Sequence, residues 1–317
     1  MDDIIIIGAG PIGLYSAILA SLHSLKGRII ESQESVGGQL SSLYPEKDII
    51  DLPGFKKITA QGYIDTLFDQ YSSKENKLDL HLEESVNSFQ KVDDHYLVKT
   101  SKGQYETKTI LITTGMGNFT PRKTGLASED EFSNILYSVK DMSIFKDKKV
   151  CVLGGGDSAV DWALMIERVA SEISIVHRRN EFRAQSNSVE ELKASKANIF
   201  TPYVPNGLIG NGDKLEKIEI KNVETSELKE IGIDYLVVNY GMIPSQNTFP
   251  IEKKGTNIVV NREYMTSLEN VFAIGNIISY EGKVKNITCG LGEAVVAITK
   301  IDQIINPTKN IPVHFVN

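Results

Sequence analysis

Apolar residues occur along this chain in short continuous runs that alternate with longer apolar or amphipathic segments. Ile4–Ile7 is a β-branched run that is too short for a helix and apolar on both faces, as a central parallel strand is. Leu14–Leu22 predicts a helix, and Gly27–Ile30 predicts a second buried strand. The chain therefore begins with a strand, a helix and a strand.

The same pattern recurs in the middle of the chain. Lys149–Leu153 predicts a buried strand, Val160–Val169 a helix and Ile173–Val176 a further strand. Two such units in one chain indicate an α/β protein with two parallel sheets, and extra strands on both sides imply that one domain is inserted into the other.

The rest of the pattern adds elements around both units. The turn-rich sequence between residues 37 and 55 predicts no regular element, and the polar sequence Gly117–Lys146 predicts a linker. The other predicted elements are a helix at Gln61–Tyr71, an antiparallel meander of Val86–Gln90, Tyr96–Thr100 and Gln104–Lys108, buried strands at Thr109–Thr113, Tyr235–Asn239 and Asn270–Ile274, and a helix at Gly292–Ile305.

Composition narrows the class of protein. A length of 317 residues, with 41% hydrophobic and 24% charged residues, suits two globular domains. The net charge of −7 argues against nucleic acid and anionic membranes as main partners. We expect a cytoplasmic protein, because no signal peptide or membrane-spanning run is recognisable. The two cysteines, Cys151 and Cys289, form no C-x-x-C, so neither a metal site nor a redox dithiol is indicated.

A glycine turn leads into the first helix. Residues Gly8–Gly13 have the pattern G-x-G-x-x-G, in which Gly10 would let the backbone approach a pyrophosphate at the helix N-terminus. Glu31 ends the second strand 23 residues after Gly8, where a carboxylate binds adenosine ribose hydroxyls. The alternative is a glycine-rich turn in some other α/β protein. We call Gly8–Gly13 the first glycine turn.

A second glycine turn, Gly154–Ala159, has the pattern G-x-G-x-x-A. At the same offset of 23 residues the chain carries His177, followed by Arg178 and Arg179, instead of an acid. A carboxylate would repel a 2′-phosphate, whereas guanidinium groups bind it through two parallel hydrogen bonds. The first turn therefore predicts a dinucleotide without a 2′-phosphate and the second predicts NADP(H). The alternative for the arginines is a solvated surface cluster.

The whole chain resembles the two-domain flavin reductases of the thioredoxin-reductase type, and among them the bacterial ferredoxin–NADP+ reductases. The motifs that carry the resemblance are GGQL (Gly37–Leu40), LYPEK (Leu43–Lys47), GGGDSAVDWA (Gly154–Ala163), HRRNEFRA (His177–Ala184) and YEGK (Tyr280–Lys283). The resemblance implies two Rossmann-like domains, each a three-layer ββα arrangement. Residues 1–116 and 246–317 would form a discontinuous FAD-binding domain, and residues 117–245 an inserted NADP(H)-binding domain.

The resemblance also implies a homodimer with FAD and NADPH as cofactors and ferredoxin or flavodoxin as partner. Hydride would pass from NADPH to FAD and leave as single electrons, with no catalytic side chain and no metal. The residues expected at FAD are Gly8, Gly10, Pro11, Ile12, Gly13, Glu31, Gln39, Leu40, Tyr44, Val86, Gly115, Phe119, Gly275, Asn276, Ala294 and His314. Those expected at NADPH are Gly154, Gly156, Asp157, Ser158, Ala159, His177, Arg178, Arg179 and Arg183.

Some of these residues have alternative roles. Tyr44 and His314 are expected on the two faces of the flavin ring, but Tyr44 also suits core packing and His314 a mobile tail. Asn276 stands where the family has an aspartate. Alternative functions are an NADPH-dependent disulfide reductase, a diaphorase with an external acceptor, and a non-catalytic FAD redox sensor.

Overall fold

The computed structural model describes residues 1–115, 117, 119–139, 141–244 and 249–308. The chain forms two compact units, and the second is inserted into the first: unit 1 comprises Met1–Phe119 and Pro244–Asn317, and unit 2 comprises Thr120–Ile243. The chain enters and leaves unit 2 through two short strands that pair with each other, Phe119–Pro121 and Met242–Pro244.

The elements are numbered along the chain. The strands are β1 Asp2–Ile7, β2 Gly27–Ile30, β3 Asp48–Ile49, β4 Ile58–Thr59, β5 Asp79–His81, β6 Val86–Val92, β7 His95–Thr100, β8 Gln104–Ile112, β9 Phe119–Pro121, β10 Ile135–Leu136, β11 Lys149–Leu153, β12 Glu172–Val176, β13 Asn198–Phe200, β14 Tyr203–Asn211, β15 Lys214–Asn222, β16 Leu228–Gly232, β17 Tyr235–Val238, β18 Met242–Pro244, β19 Lys253–Lys254, β20 Asn257–Ile258 and β21 Val271–Ala273. The α-helices are α1 Pro11–Leu22, α2 Gln39–Leu43, α3 Ala60–Ser72, α4 Asp157–Glu167, α5 Ser186–Ala194 and α6 Ile287–Ile305. Three short 3₁₀ helices lie at Glu129–Glu131, Met142–Phe145 and Gly275–Ile277.

Unit 1 is built on a sheet with the order β5-β2-β1-β8-β7-β6, to which β21 adds beside β8. The isoleucines of β1 explain why this strand is central. Ile4 and Ile6 pack on one face with α1, α3 and α6, while Ile5 and Ile7 pack on the other face with the meander. Because successive side chains point to opposite faces, an uninterrupted apolar strand needs a cover on both sides.

The sequence predicted two strands where β8 is one. The first half of β8 pairs antiparallel with β7, as Tyr96 opposite Thr107 shows, and its second half pairs in parallel with β21 through Ile110–Ile112. The first half of β8 is partly exposed, as a strand of a solvent-facing meander is, whereas its last four residues are all buried, as a strand covered on both faces is. The hydrophobic pattern therefore changes along a single strand. A further prediction was wrong for Gln39–Leu43, because these residues form the short helix α2 within the turn-rich stretch.

Unit 2 has a parallel sheet with the order β10-β17-β11-β12-β13 and a separate antiparallel sheet β14-β15-β16. Apolar side chains of both sheets share one core, including Cys151 of β11 and Ile218 of β15. The predicted linker was wrong in part, because its residues Ile135–Leu136 form β10 and pair with β17. No pattern in the sequence predicted α5 or β13–β16.

No helix in the described part of the chain is long and apolar enough to cross a bilayer.

Candidate functional site

The first glycine turn connects β1 to α1 at the carboxyl edge of the unit 1 sheet. Gly8 has a φ of 103°, which a side chain would strain, and a Cβ on Gly13 would overlap the carbonyl group of Gly8. Gly10 is the N-cap of α1, and Pro11 begins the helix, where its missing N–H removes no hydrogen bond. Two of the three glycines are therefore required by the protein's own packing.

Gly10 is the glycine that the protein itself does not require. A Cβ built on Gly10 would have no heavy atom within 4 Å, so its open side faces no part of the described chain. Its φ of −68° is accessible to any residue. The space beside Gly10 is therefore where a ligand could approach the backbone closely.

Glu31 closes one side of this turn. Its side chain is buried and accepts a hydrogen bond from the backbone N–H of Ala9 at 2.8 Å. Its other carboxylate oxygen accepts from the backbone N–H of Gln33 at 3.0 Å. The acid at the end of β2 is therefore held against the glycine turn, and ribose binding by it stays a prediction.

Residues after β2 close another side of the turn. The backbone N–H of Gly37 donates to the carbonyl of Ala9 at 2.8 Å, and a Cβ on Gly38 would lie 3.4 Å from Cα of Gly10. The hydroxyl oxygen of Ser41, the third residue of α2, lies against Gly37 and is buried with no hydrogen-bond partner among the described residues. An unpartnered buried hydroxyl close to an open glycine turn fits the binding of a polar group there.

The other residues predicted at FAD fall into two groups. Leu40 and Ala294 are buried in the core with Ile4 and Ile6, so their side chains serve packing. Those that remain partly exposed are Ile12, Gln39, Tyr44, Val86, Gly115 and Asn276. Burial raises the pKa of Tyr44. Phe119 begins β9, and His314 lies outside the described residues.

A buried ion pair supports the turn at Gly275 and Asn276. Oε2 of Glu293 accepts a hydrogen bond from the backbone N–H of Gly275 at 2.7 Å. Its Oε1 pairs with the ammonium group of Lys283 and accepts from the hydroxyl of Tyr280 at 2.9 Å. The side chains of Glu293 and Lys283 are only 2% and 3% exposed.

Glu293, Lys283 and Tyr280 were not among the residues predicted at the flavin site. The YEGK motif contains Tyr280 and Lys283 and was the one sequence signal for this ion pair. The acid that they contact, Glu293, lies in α6, ten residues after Lys283.

The second glycine turn connects β11 to α4 in unit 2. Gly154 has a φ of 145°, and a Cβ on it would meet the carbonyl oxygen of Asn239 at 2.6 Å and the methyl group of Ala159 at 2.9 Å. Gly156 is the N-cap of α4, and the nearest atom to a Cβ there would be 3.8 Å away. As at Gly10, one glycine of the turn has an open side.

The ring of His177 packs against the second glycine turn at Gly155. Its ring is buried, stacks on Phe182 and uses Nε2 to donate to the carbonyl of Glu181 at 3.1 Å. A Cβ on Gly155 would overlap the same ring. Burial, and after it the neighbouring arginine charges, hold the pKa of His177 below its ordinary value, so the ring is neutral near pH 7.

The segment after His177 folds back over the turn. The backbone N–H of Arg183 donates to the carbonyl of Gly155 at 2.7 Å, and Asp157 accepts from the N–H of Gln185 at 2.8 Å. Arg178, Arg179 and Arg183 are exposed, and no carboxylate pairs with them within the described ranges. Three exposed cations beside an open glycine turn suit a ligand with several negative charges.

Ser158 and Ala159 complete the residues predicted at this turn. Ser158 is exposed in the first turn of α4, whereas Ala159 is buried against Gly154. Across the described residues, no group of three or more His, Cys, Asp or Glu side chains could hold a metal ion.

Comparison with known proteins shows which protein family this chain matches. A family model described as "Pyridine nucleotide-disulphide oxidoreductase" matches residues 2–300. Among curated proteins, a ferredoxin–NADP reductase of Acholeplasma laidlawii is 43% identical over 312 residues, which cover 98% of this chain and 96% of the relative. A ferredoxin–NADP reductase of Streptococcus thermophilus is 41% identical over 318 residues, with the same coverage of both chains.

Solved structures share the fold. The thioredoxin reductase of T. acidophilum superposes with a TM-score of 0.81 at 22% identity, covering 96% of this chain and 98% of its own. That of Lactococcus lactis gives a TM-score of 0.80 at 24% identity, covering 96% and 99%. At these identities the likeness concerns the fold alone.

Proposed function

The chain belongs to the pyridine nucleotide-disulphide oxidoreductase family, and we propose that it transfers electrons between NADPH and ferredoxin or flavodoxin through a bound FAD. The observation that carries this proposal is the pair of glycine turns with opposite charges beside them, Glu31 at the first turn and Arg178 with Arg179 at the second. Curated relatives at 41% to 43% identity, named ferredoxin–NADP reductases, support the choice of partner.

FAD belongs at the first glycine turn. The pyrophosphate would lie beside Gly10 at the start of α1, where the backbone N–H groups and the helix dipole favour an anion. The carboxylate of Glu31 would accept hydrogen bonds from the adenosine ribose, since it is already held at the edge of the turn. The flavin end would extend toward Gly275 and Asn276, with Tyr44 against one face of the ring.

NADPH belongs at the second glycine turn. Its pyrophosphate would lie beside Gly156 and the first turn of α4, and its 2′-phosphate between the guanidinium groups of Arg178 and Arg179. Asp157 and His177 hold the loop that carries these arginines, the first through Gln185 and the second through Glu181 and Gly155. They act as supports for the loop.

FAD supplies the chemistry that joins a two-electron donor to a one-electron acceptor. The residues of this chain then need only bind, orient and shield the two cofactors. In this proposal no side chain of the two glycine turns is required to donate or remove a proton. We further propose that the protein is a homodimer, on the strength of the family resemblance, and that it is cytoplasmic, because its sequence has no recognisable signal peptide or membrane-spanning run.

The test of the function is a set of parallel assays with NADPH as donor. The purified protein is incubated with ferredoxin, with flavodoxin or with thiol disulfides, and NADPH oxidation is followed by absorbance. Reduction of one of the two electron carriers, with negligible disulfide reduction, is expected. A protein that contains no FAD and cannot be reconstituted with it, or one that reduces only disulfides, would contradict the proposal.

The cysteines provide a prediction against the disulfide-reductase alternative. Cys151 is fully buried in β11, where burial raises the pKa of its thiol to about 12, so it cannot form a reactive thiolate. We expect Cys151→Ala and Cys289→Ser, singly and together, to retain NADPH-driven reduction of an artificial electron acceptor. Steady-state turnover measures this, and loss of turnover in either variant at unchanged FAD content would indicate a catalytic thiol.

Gly10 provides a prediction for the flavin site. Gly10→Ala adds a methyl group into space that no described residue fills, so the fold and its thermal stability should be retained. The methyl group would stand where the pyrophosphate approaches, and we expect FAD affinity to fall by about tenfold or more, which is at least 1.4 kcal/mol. Fluorescence titration with FAD measures this. Gly232→Ala is the matched control, because it also adds a methyl group in open space, on β16. Its FAD affinity should equal that of the unmutated protein.

A further inference from the structure

The order of strands in unit 2 creates a crevice beside the second glycine turn. From β11 the chain proceeds to β12 and β13 on one side, whereas β17 and β10 lie on the other side of β11. Ligands of open parallel sheets bind outside the carboxyl ends of the strands at such a reversal. In unit 2 the reversal falls between β11, which ends at Leu153, and β17, which ends at Val238.

Asn239 stands at this reversal. It is the first residue after β17, its backbone N–H donates to the carbonyl of Leu153 at 2.8 Å, and its own carbonyl oxygen packs against Gly154. Both contacts hold the backbone of Asn239 against the first glycine of the turn. The side chain therefore starts from a fixed point at the edge of the crevice.

The side-chain amide of Asn239 has an unused donor. Its Nδ2 is buried with no hydrogen-bond partner in the described structure, although the residue as a whole is partly exposed. Only one other buried side-chain polar atom of the described residues shares this property, Ser41 Oγ beside the first glycine turn. Turning the side-chain amide by half a rotation about χ2, a torsion with two broad minima, exchanges the positions of Nδ2 and Oδ1. This rotation breaks no hydrogen bond of Nδ2 and brings its N–H groups to the more exposed position that Oδ1 occupies.

The two sides of the reversal would hold different halves of the coenzyme. Arg178 and Arg179 follow β12, so the adenosine 2′-phosphate lies on that side of β11. The nicotinamide mononucleotide half then extends to the other side, over β17. We propose that Asn239 donates its amide N–H to a phosphate or ribose oxygen of the nicotinamide mononucleotide half of NADP(H), an inference that rests on the proposed coenzyme site of unit 2.

The experiment compares two ligands that differ in that half. Calorimetric titration of the FAD-loaded protein uses NADP+ and adenosine 2′,5′-bisphosphate, which keeps the 2′-phosphate but lacks the nicotinamide mononucleotide. Asn239→Leu should weaken NADP+ binding about tenfold and leave the bisphosphate within about twofold, because one hydrogen bond to an oxygen is lost. Arg178→Ala is the matched control and should weaken both ligands.

A thermal measurement separates binding from a structural role. Because Nδ2 has no partner among the described residues, Asn239→Leu should leave the unfolding temperature measured without NADP+ unchanged or higher. A lowered unfolding temperature, unchanged NADP+ affinity, or equal loss for both ligands would overturn the inference. Failure of the unmutated protein to bind either ligand would instead overturn the proposed coenzyme site, and the inference with it.

Discussion

Replacing Arg178 and Arg179 together with alanine should lower kcat/KM for NADPH by about 10²- to 10⁴-fold. Each charge-assisted contact with a phosphate is worth about 1.5–3 kcal/mol, and 1.4 kcal/mol corresponds to a factor of ten. NADH has no 2′-phosphate, so its kcat/KM should stay nearly unchanged. The fold should tolerate both changes, because the two side chains are exposed and no carboxylate in the described ranges pairs with them.

Steady-state kinetics with each coenzyme and an artificial acceptor measure this change in preference. Arg168→Ala is a matched control, since this exposed arginine is the C-cap of α4, at the helix end opposite the second glycine turn. The control should show the kinetics of the unmutated protein with both coenzymes. Equal losses with NADPH and NADH in the double variant would refute the assignment of the arginines to the 2′-phosphate.

Replacing Lys283 with methionine should lower the free energy of unfolding of unit 1 by about 3–5 kcal/mol, because it leaves a buried carboxylate without its counter-ion. The hydrogen bonds that Glu293 accepts from Gly275 and Tyr280 do not neutralise its charge, so the unpaired carboxylate is drawn away from Gly275 toward water. The loss is large compared with the total stability of an ordinary domain, which is about 5–15 kcal/mol. Because Glu293 also holds the backbone at Gly275, FAD affinity should fall in the same variant.

Urea unfolding followed by circular dichroism measures this stability, and FAD fluorescence measures the affinity. Lys285→Met is a close control, since Lys285 is exposed and its ammonium group contacts only the side chain of Asn257 among the described residues. Its effect should lie within about 0.5 kcal/mol. Adding Glu293→Gln to Lys283→Met should recover part of the lost stability by removing the unpaired charge. A variant Lys283→Met as stable as the Lys285→Met control would show that the ion pair is not needed.

The parts of this fold that sequence could predict are those in which a short stretch determines its own structure. Ile4–Ile7 predicts a strand covered on both faces because each residue is apolar, and the structure gives each pair of alternate isoleucines its own core. The glycine turns are predictable for a similar reason, since Gly8 and Gly154 adopt a φ that other residues avoid. The equal spacing to Glu31 and to His177 then identifies the ends of β2 and β12.

The parts that sequence could not predict depend on partners distant in the chain. Ile135–Leu136 is too short to form a strand by itself and does so because β17 lies beside it, a hundred residues later. Glu293 lies in an apolar helix, where an acid normally faces solvent, and it is buried because Lys283 and Gly275 approach it from a separate loop. His177 was predicted to bind the coenzyme from its position after β12, and that position did not indicate that its ring also supports Gly155.

The pairing of β9 with β18 has a consequence for how such a protein changes over time. β9 and β18, at which unit 2 begins and ends, lie side by side. Next to them in the chain, the backbone N–H of Arg122 donates to the carbonyl of Gly241 at 3.0 Å. The insert therefore begins and ends at neighbouring points, as tolerated insertions do. In genetic terms unit 2, where we propose that the coenzyme binds, is encoded by a single uninterrupted stretch, so its exchange should alter coenzyme preference while the sheet of unit 1 and its glycine turn are inherited unchanged.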